Sequence, residues 1–185
     1  LFGHPDVRLL NGGRDAWMSE ERDTSYVVPE YPPTDYPVAE RTDEGQRAYV
    51  AEILESLTAS REMSIVDVRT AEEYRGLNQD EQPVTGEGVL RGGHIPGAVH
   101  RDWERSVLPN GNFRSRKELE GIYGELNPTD ETIVYCRVGD RAAHTWFVLK
   151  YLLGFNHVRN YDGSWAEWGN MVRMPIVRGD EPGAL

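Results

Sequence analysis

The residue of this sequence best placed to do chemistry is a lone cysteine between a β-forming run and a helical run. The strand-like segment Thr132–Tyr135 leads into Cys136, and a short loop follows with Gly139, Arg137 and Arg141. Backbone N–H groups that converge at a helix N-terminus, together with two arginines, stabilise an anion. The sequence therefore predicts a nucleophilic thiol with a pKa well below its ordinary value of about 8.5. The alternative is a small buried structural cysteine, against which the glycine and both arginines argue.

Composition excludes several classes of protein. A single cysteine among 185 residues rules out an internal disulfide and any multi-cysteine metal site. A free thiol suits a reducing compartment, so we expect a cytoplasmic protein. The net charge of -11 argues against nucleic acid or an anionic membrane as the main partner. We also expect no metal, no cofactor and no transmembrane segment, since Lys150 and Gly154 break the most apolar run.

An internal repeat suggests two related units. Residues Val7–Trp17 align without gaps on Val158–Trp168, and both read Val-Arg, two residues, Asn or Asp, Gly, four residues and Trp. We expect residues 1–20 to close a truncated domain equivalent to the one that contains Cys136; a chance match remains the alternative. Four prolines make residues 21–40 a predicted inter-domain linker, and residues 41–185 the chemically active domain.

The hydrophobic pattern predicts an α/β fold with a mostly parallel sheet covered by helices on both faces. In such sheets the active site lies at the carboxyl ends of the strands, where we expect Cys136 and the segment Asp67–Arg75 to meet. The predicted elements, in order, are a helix over Glu44–Leu57, a strand over Ser64–Val68, a helix capped by Thr70 and Glu73, an irregular excursion over Gly76–Gly93, a strand over Ala98–His100, a helix capped by Ser115 and Glu118, the Cys136 strand and its helix ending at Gly154, a strand over Val158–Tyr161 and a helix over Ser164–Trp168.

Four short motifs, taken in order, resemble the rhodanese family. They are Asp-Val-Arg-Thr-Ala-Glu-Glu-Tyr at 67–74, Gly-His-Ile-Pro-Gly-Ala at 93–98, Cys-Arg-Val-Gly-Asp-Arg at 136–141 and Asn-Tyr-Asp-Gly-Ser-Trp-Ala-Glu-Trp at 160–168. The last motif is similar to tandem-domain thiosulfate sulfurtransferases of actinobacterial type. The resemblance covers about residues 41–185. It implies the three-layer rhodanese fold, and it makes residues 1–20 similar to the end of a first, non-catalytic rhodanese domain.

The resemblance also implies a reaction. Cys136 would take the outer sulfur of thiosulfate as a persulfide, release sulfite and pass the sulfur to cyanide, a thiol or a protein cysteine. The expected substrate-binding residues are the loop itself, Arg137, Val138, Gly139, Asp140 and Arg141. Loops of mercaptopyruvate-using relatives begin Cys-Gly, whereas this loop begins Cys-Arg. Loops of cysteine phosphatases and arsenate reductases place an arginine six residues after the cysteine, where this chain has Ala142. We therefore expect thiosulfate as the substrate, with these other activities as alternatives. A rhodanese-fold module that relays sulfur to a protein partner, or only binds one, stays open.

Residues outside the loop are also assigned roles. Some relatives bind thiosulfate through an arginine at the position of Glu73, and Arg75 could reach the same space. We expect Asp67 to accept a hydrogen bond from the loop, Arg69 to pair with Asp67 or Glu73, and Trp165 to line the pocket mouth. His94, His144 and Trp168 are predicted to be structural, and Arg91 and Arg101 to be surface charges. With most of the first domain absent, we expect Cys136 to stay acidic while affinity for thiosulfate falls.

Overall fold

Strand pairing in this chain is parallel throughout the central sheet. The computed structural model describes residues 2–37, 39–59, 63–77 and 88–185. Within these ranges the order of elements is α1 (Gly13–Ser19), β1 (Arg47–Ala48), α2 (Val50–Ala59), β2 (Ser64–Asp67), α3 (Ala71–Arg75), β3 (Val99–His100), a 3-10 turn (Trp103–Ser106), α4 (Arg116–Tyr123), β4 (Thr132–Tyr135), α5 (Asp140–Phe147), which continues as π-helical turns (Val148–Leu153), β5 (Val158–Tyr161) and α6 (Ser164–Trp168). The strand order is β1-β5-β4-β2-β3.

Both faces of the sheet are buried because side chains alternate along β2 and β4. Ile65, Ile133 and Tyr135 pack into one apolar cluster. Val66 and Val134 pack into the other, together with α5 and the π-helical turns. A parallel sheet covered on both sides in this way confirms the predicted three-layer α/β architecture.

The helix caps predicted from the sequence are present. Thr70 Oγ1 accepts the Glu73 N–H and the Glu73 carboxylate accepts the Thr70 N–H, which closes a capping box at the start of α3. Ser115 and Glu118 make the same reciprocal pair at α4. Gly154 ends the helix that follows Cys136 in a left-handed conformation. Local sequence signals therefore determine where these helices begin and end.

The predicted helix over Glu44–Leu57 is wrong at its start. Helix α2 begins only at Val50, because Arg47 and Ala48 instead pair with β5 as an edge strand. A turn in which the Gln46 and Arg47 N–H groups donate to Asp43 precedes that strand. Tyr49, which the periodicity assigned to the apolar face, is 48% exposed. The open edge of β5 overrides the helical periodicity here.

The segment before β1 is only partly regular. The described residues between 21 and 40 form no helix or strand and are exposed, as expected of an extended proline-rich segment. Of the two repeat copies, Val158–Trp168 forms a strand and a helix, whereas Val7–Trp17 contributes only to α1, without a strand. Asn11 nevertheless accepts the Phe113 N–H, at 2.9 Å. The assignment of residues 1–20 to a preceding domain, and of 21–40 to a linker, stays a prediction.

Part of the predicted excursion over Gly76–Gly93, residues 78–87, lies outside the described residues. Beyond it, Arg91 is not the surface charge we expected: its guanidinium donates to the backbone carbonyls of Trp168, Gly169, Met171 and Met174. Arg101 likewise donates to the Ile122 and His100 carbonyls. Each arginine therefore links its own segment to a distant one through hydrogen bonds.

No described helix is long and apolar enough to cross a membrane.

Candidate active site

The strand β4, the loop 136–139 and helix α5 place a thiol at the carboxyl edge of the sheet. Cys136 directly follows Tyr135, and the helix begins at Asp140. Gly139 lies between them at φ +94°, where a Cβ atom would meet the Asp162 carbonyl oxygen and Oδ1, both at 2.9 Å. The loop therefore requires glycine at this position both for its conformation and for its closeness to the chain after β5.

Two groups contact the Cys136 sulfur at hydrogen-bonding distance. The Gly139 N–H donates to Sγ at 3.1 Å, and the thiol donates to Asp140 Oδ1 at 3.3 Å. The N–H groups of Val138 and Ala142 also face the sulfur and favour its anion. Backbone donors from Val138, Gly139 and Ala142 thus act on the sulfur, with the Asp140 carboxylate beside it. A cradle formed by the N–H groups of Arg137 through Arg141 stays a prediction.

The predicted acidic thiol is wrong for this arrangement. Burial is the largest influence and raises the pKa of Cys136, and the Asp140 carboxylate raises it further. The backbone donors and the positive charge of Arg141 lower the pKa but do not cancel the burial. Cys136 is fully buried in the described structure. The arrangement therefore favours the protonated thiol over the thiolate.

Asn160 in β5 and Ser164 at the start of α6 hold the loop, a role that we did not predict for either residue. The Cys136 N–H donates to Ser164 Oγ at 3.2 Å, and Ser164 Oγ donates to the Tyr161 carbonyl at 2.6 Å. Asn160 Nδ2 donates to the Gly139 carbonyl at 3.1 Å. Ser164 adopts φ +49°, an uncommon value for a non-glycine residue. Only the position of this segment at the carboxyl edge of a neighbouring strand hints at such a role.

Arg141 forms a two-pronged ion pair with Glu73. Its Nη1 and Nη2 donate to Glu73 Oε2 and Oε1 at 2.8 and 3.0 Å. The Arg141 and Glu73 side chains are 22% and 19% exposed. The pair lowers the pKa of Glu73 against the opposing effect of burial. Glu73 thus contacts the last loop residue although 68 residues separate the two in sequence.

Arg69 pairs with Asp67, as expected, inside the core next to the site. Its guanidinium donates to both Asp67 carboxylate oxygens at 2.6–3.2 Å and to the Gly93 carbonyl at 2.7 Å. The guanidinium also lies over the Trp165 ring, 4.5 Å from its centroid. Two predictions are corrected here: Asp67 accepts the Arg69 N–H rather than a bond from the loop, and Trp165 is 3% exposed and does not line an open mouth.

Trp165 nevertheless contacts the loop through its backbone. Its N–H donates to the Cys136 carbonyl at 3.0 Å, and the Ala166 N–H donates to the Arg137 carbonyl at 2.8 Å. Its indole Nε1 donates to the Arg91 carbonyl. Helix α6 therefore holds the base of the loop through its backbone, and the Trp165 ring packs on Arg69.

Arg75 points to a different neighbour from the one we considered. Its side chain pairs with Asp180 near the C-terminus, and both are well exposed. A contribution of Arg75 to substrate binding stays a prediction, as does that of Val138, which is exposed at the loop tip. Arg137 is half-buried on the same loop. The structure thus brings together Cys136, the loop and Glu73, with Arg75 paired elsewhere.

His94, His144 and Trp168 make the packing contacts expected of structural residues. His94 is buried, stacks on Tyr74 at 3.6 Å between ring centroids, and its Nδ1 lies 2.8 Å from the Tyr74 carbonyl oxygen. His144 packs between Trp103 and Phe113, and burial lowers its pKa. Trp168 is fully buried. Among the described residues, no cluster of three or more His, Cys, Asp or Glu could hold a metal ion.

Comparison with known proteins decides the family. The rhodanese-like domain matches residues 49–171. The chain belongs to the rhodanese family. A thiosulfate sulfurtransferase of Corynebacterium glutamicum is 72% identical over 180 residues, which are 97% of this chain and 60% of the relative. The sulfur carrier protein TtuD of Thermus thermophilus is 49% identical over 183 residues, 97% of this chain and 64% of that protein.

A solved structure shares the fold of this chain. A variant of EanB, in a persulfide tetrahedral-intermediate state with ergothioneine, superposes with a TM-score of 0.79 at 28% identity, covering 96% of this chain and 43% of that one. This chain therefore spans less than two thirds of the length of each of these relatives.

Proposed function

We propose that this chain contains the sulfur-accepting site of a thiosulfate sulfurtransferase. The observation that supports this most directly is the loop of Cys136, whose Sγ accepts the Gly139 N–H at 3.1 Å at the start of α5. The C. glutamicum relative, 72% identical, is named for this activity. A cradle of backbone donors around a single sulfur suits a thiolate and the persulfide anion that replaces it.

The reaction follows from the chemistry of the thiol. Cys136 must first lose its proton, a step that the Asp140 carboxylate, 3.3 Å from Sγ, opposes. The thiolate attacks the outer sulfur of thiosulfate; a new S–S bond forms on Sγ, the old one breaks, and sulfite leaves with its electron pair. A thiophilic acceptor, cyanide or a thiol, then takes the outer sulfur and restores the Cys136 thiolate. Bound persulfide on a cysteine is also the state recorded for the EanB variant.

The loop length supports sulfur over phosphate chemistry. Position six after the cysteine, which would require an arginine for a tetrahedral oxyanion, is Ala142, and its side chain is fully buried. Arg141, one residue earlier, is held by Glu73. A loop with this arrangement suits a single sulfur atom better than it wraps a phosphate group.

The physiological acceptor could be a protein thiol. The Thermus relative, 49% identical, is named a sulfur carrier protein, which favours transfer of the persulfide sulfur to a partner as a second role. We propose a cytoplasmic setting for either role, because a free catalytic thiol persists best in a reducing compartment. Transfer to a thiol and transfer to cyanide use the same persulfide.

Steady-state kinetics test the proposal. Rates of thiocyanate formation, measured while thiosulfate and cyanide are both varied, should give the parallel double-reciprocal lines of a ping-pong reaction. Sulfite should appear in the absence of cyanide, in an amount no greater than the enzyme. Cys136→Ser is the control and should abolish both signals. Intersecting lines, or equal turnover by Cys136→Ser, would contradict the persulfide route.

A further inference from the structure

Carboxylates lie next to the positively charged end of the loop, and they affect which substrates the site would accept. Arg141 is the cation at the end of the loop, and both of its terminal nitrogens face the Glu73 carboxylate. Asp140, its neighbour, places a second carboxylate beside Sγ. The positive charge that would attract an anionic donor is therefore matched by nearby negative charge.

Glu73 is held in this position from two sides. Its Oε2 accepts the Thr70 N–H at 3.0 Å as part of the capping box of α3, and the same oxygen accepts from Arg141. Both side chains of the pair are about four-fifths buried, so solvent screens their interaction less than it would at the surface. The carboxylate thus lies fixed between helix α3 and the end of the catalytic loop.

We propose that Glu73 is a specificity-determining residue: by neutralising Arg141 it lowers the preference of the Cys136 site for anionic reactants relative to uncharged ones. The inference rests on the proposed function in one respect, namely that sulfur donors react at Cys136. Under this inference the site accepts a dianion such as thiosulfate less readily than its two loop arginines alone would allow. It also accepts uncharged sulfur donors that a strongly cationic loop would not favour.

Two alkylating reagents of nearly equal size test this without any sulfur transfer. Iodoacetate is an anion and iodoacetamide is neutral, so the ratio of their rates at Cys136 reports the local potential; any opening of the buried site is common to both. Glu73→Gln keeps an oxygen for the Thr70 N–H but removes the charge. It should raise the iodoacetate-to-iodoacetamide ratio about fivefold, a size expected for one unit charge in a partly buried site.

Glu72→Gln is the matched control. Glu72 is the neighbouring residue on the same helix and exposed, so its substitution makes the same change in net charge away from Arg141 and should leave the ratio within about twofold of the wild type. Arg141→Gln should lower the ratio. The double substitution Glu73→Gln with Arg141→Gln removes both charges and should return it towards the wild-type value, which gives a reading even if one single variant folds poorly.

The same variants separate this inference from the proposed function. Because thiosulfate carries two negative charges, Glu73→Gln should lower its KM by about the square of that factor, about 25-fold, with little change in kcat. If wild-type protein forms no persulfide while Glu73→Gln raises the alkylation ratio, the proposed function fails, whereas the effect of the Glu73 charge on anionic reactants at Cys136 stands. If the wild type transfers sulfur but the ratio and the KM of Glu73→Gln match those of Glu72→Gln, the inference is overturned.

Discussion

Replacing Asp140 by asparagine should make the Cys136 thiol more acidic. The Cys136 thiol donates to Asp140 Oδ1 at 3.3 Å, and the carboxylate is one of the causes that raise the pKa of Cys136. Asparagine keeps an oxygen that accepts from the thiol but removes the negative charge that opposes the thiolate. The substitution therefore isolates the electrostatic part of the contact.

The size of the effect follows from the distance. Two unit charges 3.3 Å apart repel by about 1.3 kcal/mol in a water-like dielectric, which is about one pKa unit. The water-like value gives a lower bound, because Asp140 is exposed whereas the Cys136 thiol is buried. In the Asp140→Asn variant the midpoint of the pH profile of Cys136 alkylation by iodoacetamide should fall by about one unit, and the rate at pH 7 should rise about tenfold.

The control is Asp130→Asn, an equal chemical change at an exposed residue just before β4, at the opposite edge of the sheet from Cys136. It should leave the alkylation profile unchanged. A midpoint in Asp140→Asn that stays at the wild-type value, or moves upward, would refute the reasoning. Either result would mean that Asp140 does not oppose ionisation of the thiol in solution.

Three further substitutions test the framework of the site. Arg69→Met leaves Asp67 buried and unpaired, so the free energy of unfolding from denaturant titration should fall by about 3–5 kcal/mol; a loss below about 1 kcal/mol would contradict the buried pair. Ser164→Ala removes the acceptor of the Cys136 N–H and should cost about 1–3 kcal/mol in the same titration, together with slower sulfur transfer; unchanged values would contradict this role. The folded-state pKa of Glu73 lies below its ordinary value, so its contribution to stability is present above about pH 4.5 and is lost as the pH falls through the folded-state pKa. The stability difference between wild type and Glu73→Gln should therefore be largest near pH 7 and shrink below pH 4, and a difference that grows on acidification would contradict the ion pair.

Local sequence patterns were sufficient for most of the fold. The capping pairs Thr70–Glu73 and Ser115–Glu118 mark helix starts that the structure contains, because both partners lie within one turn. The β-forming run before Cys136 and Gly154 after its helix mark a strand–loop–helix unit in the same way. The start of α2 could not be read locally, since it depends on the pairing of β1 with the distant β5.

The sequence predicts the site only where its residues lie within one short stretch of the chain. The loop 136–141 and its glycine follow from residue types in one short stretch, but the pKa of Cys136 depends on burial by α5 and the sheet, which no spacing reveals. The pairing of Arg141 with Glu73 and the support from Ser164 join residues 68 and 28 positions apart. These contacts form because the carboxyl ends of several strands meet at one edge of the sheet. Packing determines which of the neighbouring groups a side chain contacts there.

The most direct test of the central claim is the intact mass of the protein before and after exposure to thiosulfate. The account predicts a gain of about 32 Da, one sulfur atom, located on the peptide that contains Cys136. Cyanide should remove this mass with release of thiocyanate, and Cys136→Ser should never acquire it. No gain in the folded wild-type protein, or an equal gain in Cys136→Ser, would contradict a persulfide on Cys136.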